Sequence, residues 1–276
     1  MMDVVSRFHK GRSALLGLAV LAAVLSACLP QPDEPIEYLQ LPNSIIIQMR
    51  RVGLEQSEVE RLLAVPEFTL YGDGTLILRE QREGEEYALV QADLSVEAVG
   101  NLLALIVDEG FLEFFYDQPV ASGAADAPMT FIYVNTKYGA NSVRILGFGA
   151  DQPEDVIGNI QRIERIVLRL EELTAAVLGS ADAAVYVPEG VLLLAEPLDP
   201  ADVVGTPDEW PLAADLSELV GSGPPEARVQ GELVTEITAL LKPGAQFSRT
   251  FQQGDRIFSV GFRPLLPFEE NFPLFD

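Results

Sequence analysis

The stretch Phe68-Thr-Leu-Tyr-Gly-Asp-Gly-Thr-Leu-Ile-Leu78 constrains this chain more than any other. Two runs of strand-forming residues meet there at Gly72-Asp73-Gly74. Glycine at the last loop position supplies the left-handed conformation that closes a three-residue loop with a bulge. Such a loop permits one register, with Phe68 opposite Leu78 and Leu70 opposite Leu76 on one face. Thr69, Tyr71, Thr75 and Ile77 take the other face. Asp73 reads as a turn residue and not as a metal ligand, because one carboxylate makes no cation site. A second hairpin is expected near the C-terminus. Gly254-Asp255 as a type II′ turn sets Phe251 against Phe258, Arg249 against Val260 and Phe247 against Phe262.

Helical periods lie between these hairpins. Residues 44–52 and 86–92 read as strands, and 54–64 as a short helix ahead of Pro66. Ser95 reads as the N-cap of a helix with Val96, Val99, Leu102, Leu103 and Ile106 on one side and Gly110 as its stop. Asp108 and Glu109 fall at the end where the helix dipole disfavours negative charge. That conflict marks either a cation or partner site or a solvated surface. Residues 129–136 and 142–148 read as paired strands around Lys137-Tyr138-Gly139-Ala140-Asn141. A long helix is expected from Pro153 to about Leu178, striped by Ile157, Ile160, Ile163, Val167, Leu170, Leu173 and Val177. Residues 184–196 read as extended, 197–228 as loop holding Trp210, and 229–241 as helix. Hairpins mixed with separate helices indicate an α+β class and not a parallel βαβ sheet. The expected organisation is an N-terminal section 44–180 and a C-terminal section 183–276, as two units or as one.

The N-terminus has a different character. Arg7, Lys10 and Arg12 precede an apolar run from Ala14 to Leu25, which is shorter than the ~20 residues a membrane-spanning helix needs. A basic segment, a short apolar run and small residues make a secretory signal. Leu25-Ser26-Ala27-Cys28 resembles the lipobox of bacterial lipoproteins. The resemblance implies cleavage after Ala27 and a diacylglyceryl thioether on Cys28, with further acylation such as palmitate on the new amine. It implies a signal peptide 1–27 and a Pro- and acid-rich tether 28–43. The expected location is the extracytoplasmic face of the cell membrane, or the outer membrane in a host that has one.

Charge and residue absences narrow the chemistry. The chain carries 18 Lys+Arg against 42 Asp+Glu, a net charge of −24. Loss of a leader with three basic residues and one acid makes the mature chain more acidic still. That argues against nucleic acid, whose affinity comes from neutralised phosphates, and against a charge-driven grip on anionic lipid. The single histidine, His9, lies in the leader, and the single cysteine is Cys28. A mature chain without either excludes Ser-His-Asp and Cys-His catalysis, histidine-ligated zinc and disulfides. No cofactor or metal site is implied.

The segments "PEFTLYGDGTLIL", "TFIYVNT" and "FSVGFRPLLP" resemble bacterial envelope lipoproteins, and the resemblance implies a shared fold without a reaction. The expected function is a lipid-anchored binding module for a protein or small molecule, with Trp210, Tyr116 and Tyr138 as candidate contact residues. One alternative is a glycosidase-like hydrolase using two carboxylates. Another is a Ca²⁺-stabilised structural module, although no D-x-D-x-D-G loop is present.

Overall fold

A computed structural model describes residues 35–53, 58–81, 87–114, 128–146, 157–220, 226–240 and 249–269. The expected starts of the long helix at Pro153 and of the C-terminal hairpin at Phe247 lie outside these residues, as do Ala27, Cys28 and Tyr116. The fold is α+β and mostly sheet. Two compact units divide the chain, and they interleave. One takes the described parts of 1–54, 66–78 and 89–186, and the other those of 55–65, 79–88 and 187–276. Residues 58–65, 79–81 and 87–88, expected within the section 44–180, thus cluster with the second unit.

The first unit centres on a seven-stranded antiparallel sheet of order β6-β5-β1-β2-β3-β4-β7. Its strands are β1 (Ile45–Val52), β2 (Phe68–Tyr71), β3 (Thr75–Gln81), β4 (Tyr87–Asp93), β5 (Met129–Thr136), β6 (Gly139–Leu146) and β7 (Ala184–Val185). The β2–β3 register is Phe68 to Leu78, Thr69 to Ile77 and Leu70 to Leu76, as the glycine loop requires. Gly74 has φ +93, the left-handed conformation expected of it. The β5–β6 turn is tighter than its sequence indicates: Thr136 pairs Gly139, leaving only Lys137 and Tyr138 between the strands.

Two helices cover one face of this sheet. Helix α2 (Val96–Asp108) starts where Ser95 Oγ accepts the Ala98 amide at 3.1 Å. Helix α3 (Ile157–Leu178) buries Ile160, Ile163, Val167, Leu170, Leu173 and Val177. They pack with Phe68, Leu70, Leu76, Leu78, Ile132, Val134, Val143 and Ile145 in one core. Burial of such side chains at about 1.5–3 kcal/mol each is the main stabilising term.

Residues 36–44 belong to this body and not to a free tether. Ile36 packs on the core and Tyr38 is buried within it. The Ile36 amide donates to Gly100 O at 3.1 Å, and the Lys137 amide to Glu37 O at 3.2 Å. Apolar Ile36 and Tyr38 amid prolines and acids were not readable as core residues, because their partners lie far along the chain.

The second unit holds a five-stranded sheet, β10-β8-β12-β11-β9. Its strands are β8 (Gly190–Leu198), β9 (Asp208–Glu209), β10 (Glu226–Gln230), β11 (Arg249–Gln253) and β12 (Arg256–Pro264). The β11–β12 hairpin pairs Phe251 with Phe258 and Arg249 with Val260 across Gly254, in the expected register. Its helices are α1 (Glu58–Leu63), α4 (Leu216–Val220) and α5 (Glu232–Leu240). Val229, expected to begin the last helix, instead lies in strand β10 against Val191. One sheet face packs Leu193, Val260 and Phe262 with Leu216, Val234 and Ile237; the other packs Leu192 and Leu194 with Leu63 and Leu265. Burial on both faces explains the unbroken apolar run of β8.

Arg263, 2% exposed, closes this unit. Its Nε donates to Leu62 O at the end of α1 at 2.7 Å, and Nη1 and Nη2 meet the Glu269 carboxylate. Glu269 also accepts the Leu266 amide at 2.8 Å. This bidentate pair holds the turn in which Phe268 adopts φ 62.

The β2–β3 turn carries the first unit's tightest approach. A Cβ on Gly72 would lie 2.1 Å from Leu39 O, 2.6 Å from Leu41 O and 2.8 Å from Leu41 N, all backbone atoms. Gly72→Ala is expected to cost about 2–3 kcal/mol through this overpacking and to expose residues 36–44 to protease. Gly158→Ala, with nothing within 4 Å of its added carbon, is expected to be neutral or to gain up to ~1 kcal/mol from helix propensity. Urea denaturation followed by far-UV circular dichroism checks both.

Candidate functional site

The face of the first sheet turned away from α2 and α3 carries an aromatic row between cations. Strand alternation sends Ile132 and Val134 of β5 into the core and Phe131, Tyr133 and Asn135 to the other side. Register then sets Phe131 beside Arg50 of β1 and Arg144 of β6. Both guanidinium groups stack on the Phe131 ring, at 5.0 Å and 5.6 Å from its centroid. Tyr133, flanked by Gln48 and Ser142, makes a second row.

Exposure rises across this face toward β6. Thr69 and Ile77 are buried, as is Gln48, whose amide reaches Thr69 Oγ1 at 3.4 Å. Phe131 and Tyr133 are half-buried, and Ser142 and Arg144 are exposed. Burial pushes the Tyr133 hydroxyl up from its usual titration range, so it is a neutral donor at physiological pH. Arg144 makes no ion pair among the described residues, and its guanidinium lies over the Phe131 ring. The row therefore offers planar N–H donors beside an apolar ring, suited to a carboxylate or phosphate joined to an apolar or sugar body. It lies where this face of the sheet opens to solvent, at β6.

An open groove of about 210 Å³ runs between α2 and α3, below the usual range of small-molecule pockets. Leu105, Ile106, Ile166 and Leu168 give it an apolar floor, and Glu109, Arg165, Arg169 and Glu172 line its margin. Here the electrostatic conflict at the end of α2 is settled. Arg165 grips Glu109 with two hydrogen bonds, Nε at 2.8 Å and Nη2 at 2.7 Å. Arg169 pairs Glu172 at 2.6 Å. The hydrogen bond from Arg165 holds the Glu109 carboxyl below its usual range, assisted by the charges of Arg162 and Arg169. A general acid needs the reverse shift, so this carboxylate pair has the electrostatics of a helix–helix seam. Among the described residues, no group of three His, Cys, Asp or Glu side chains could hold a metal ion.

The aromatic residues singled out in the sequence separate. Trp210 is 6% exposed: its Nε1 donates to Ala214 O at 2.9 Å and its ring meets Phe251 edge-on at 5.1 Å. It is a core residue of the second unit, and the acidic loop around it is its cover. Tyr138 is 69% exposed at the β5–β6 turn, on the hairpin that carries Phe131 and Arg144. Sequence reasoning missed Arg50, Phe131 and Arg144. The alternation in "TFIYVNT" hints at Phe131, but nothing local brings β1 beside β5.

Comparison with known proteins adds no relative. No family model matches the chain, and neither a curated protein nor a solved structure does. The candidate surface therefore stands on its own geometry.

The Arg165–Glu109 grip has a pH signature. A carboxyl with a lowered folded-state pKa stabilises the fold above its unfolded value and loses that contribution as pH falls through the folded one. Arg165→Ala is expected to move Glu109 back up toward an ordinary carboxylate. The acid limb of the stability profile should then be shallower, because a carboxyl with the same pKa in both states adds no slope, and stability at neutral pH should be lower. Side-chain carboxyl titration by NMR, with denaturation midpoints across the acidic range, measures both.

Proposed function

We propose that this chain is a lipid-anchored extracytoplasmic binding module. The observation that carries the reading is Leu25-Ser26-Ala27-Cys28 at the end of a basic, then apolar, leader. Cleavage after Ala27 leaves Cys28 as the first residue, joined by its sulfur to diacylglycerol. A second or third acyl chain makes attachment firm, at ~0.8 kcal/mol per buried CH₂. The short segment before Pro35 then ties a folded body to the membrane.

The module's binding surface, in this reading, is the row Arg50, Phe131 and Arg144 with Tyr133 beside it. What supports this is the aim of exposed or half-exposed cations in a strongly acidic chain. Such a surface favours an anionic group. The ligand class is a carboxylate- or phosphate-bearing molecule with an apolar or ring-shaped body.

Two measurements test the reading. Cys28→Ser is expected to move the protein out of the membrane fraction or to leave it unprocessed. Intact-protein mass spectrometry of the parent is expected to show cleavage before Cys28 with a diacylglyceryl adduct; an unmodified Cys28 in membrane-bound protein sinks the anchor. For the surface, Phe131→Ala with Arg144→Ala is expected to lower retention on an array of carboxylated and phosphorylated glycans and peptides about tenfold or more, as loss of a stacked charged anchor does. Retention unchanged by the double substitution rules out this face.

A further inference from the structure

Four exposed apolar side chains lie at one end of the first sheet, where the chain joins the body. At that end β1 begins at Ile45, β2 turns into β3 at residues 72–74, β4 finishes at Asp93, and β5 turns into β6 at Lys137–Tyr138. Residues 36–44 run across these strand ends. Glu37 O takes the Lys137 amide, Ser44 O takes the Gly72 amide at 2.8 Å, and Leu94 donates to Gly74 O at 2.9 Å. The backbone of Leu39 and Leu41 sits against Gly72, and their side chains are 51% and 52% exposed. Tyr138 is 69% exposed and Val96, the first residue of α2, 53%.

The length of the tether says what these side chains meet. From Cys28 to Pro35 there are about seven residue steps, at most about 25 Å when fully extended. Ile36, Glu37 and the β5–β6 turn are the first parts of the body reached from the anchor. The other end of β1 lies a further ~25 Å along the strand. A lipid on Cys28 therefore draws this end of the sheet toward the bilayer.

We propose that this end rests on the membrane that holds Cys28, with Leu39, Leu41 and Tyr138 in the interfacial layer and Val96 at its margin. The proposal rests on the lipid-anchor reading above. Tyrosine suits the headgroup level, with an apolar ring and a polar tip. The charges facing the same side choose the lipid. Lys137 is spent on Glu37, while Asp73, Asp93 and Glu97 are exposed. These acids repel anionic headgroups, so the surface that fits is a zwitterionic one whose ammonium groups they tolerate.

Once Cys28 is lipidated, a new cysteine is the only free thiol, which makes site-specific labelling clean. The lipidated mature chain is reconstituted into phosphatidylcholine vesicles with an environment-sensitive fluorophore at Tyr138→Cys. A second preparation carries it at Asp108→Cys, at the far end of α2. Vesicles containing a lipid-borne nitroxide quencher are expected to remove more than about half the emission at position 138 and little at 108, since interfacial groups sit ~5–10 Å into the headgroup boundary. Leu39→Asp with Leu41→Asp is expected to return position 138 to the level of 108 while the protein still floats with the vesicles. Replacing much of the phosphatidylcholine with phosphatidylglycerol is expected to weaken the quenching. Flotation with equal quenching at the two positions overturns the docking and leaves the anchor standing. Failure to float overturns the anchor and the docking with it.

Discussion

The first unit depends on a turn that has no room for a side chain. At Gly72 the backbone of Leu39 and Leu41 occupies the space a Cβ would take, and the Gly72 amide donates to Ser44 O. Two residues on, Gly74 takes φ +93 and its carbonyl receives the Leu94 amide; a Cβ there would lie 2.2 Å from Leu94 O. One tight loop thus joins the entering chain, the start of β1 and the passage from β4 into α2. Each junction uses backbone groups that burial would otherwise leave unpaired. Ser95 follows directly as the cap of α2. The position of α2 over the core, and through it the seam with α3, follows from this approach of main chains.

The scarce cations are placed with economy. Arg165 answers Glu109 at the end of α2, and Arg51 on β1 joins Glu67, just before β2, to Glu171 on α3. Arg263 is buried, yet four of its five N–H donors find Leu62 O, Pro264 O and both oxygens of Glu269. Removing one member of such a pair would strand the other, which is where its structural importance lies. Arg144 is placed differently: it makes no ion pair among the described residues. With Arg50 it flanks the Phe131 ring on a face that opens to solvent at β6. A guanidinium over a ring face directs its edge N–H groups outward from that ring.

What could be read from the sequence was local. Glycine loops gave the β2–β3 and β11–β12 registers, Ser95 and Gly110 bounded α2, and the apolar stripe marked α3. Each rests on residues a few positions apart, where backbone geometry leaves few choices. Long-range neighbours were not readable. β5 lies against β1 across more than seventy residues, and β9 runs parallel to β11 although each is short. Trp210 is hidden because its partner Phe251 belongs to a hairpin forty residues on. The candidate surface was illegible for the same reason. Phe131 is an ordinary strand residue until β1 and β6 bring an arginine to either side.

The apolar end and the aromatic row lie on the same strands, and that sets how the module presents itself. From Phe131 in β5 to Lys137, just past its end, is six residue steps or about 20 Å at strand rise. With the turn on the bilayer, as proposed, the strands of the first sheet would stand off the surface. The Arg50–Phe131–Arg144 row would then be raised about 20 Å above the headgroups, more than two Debye lengths at ~0.15 M salt. At that height the potential of any anionic lipid in the membrane would be largely screened. A tether of seven residues would otherwise let the body tumble and press any face against the membrane. Under the proposed docking, three interfacial side chains beside the attachment point would remove that freedom at small cost, because the proposed lipid would already confine them to the surface. In the proposed arrangement the short tether and the apolar end would act together, and the cationic face would be held outward.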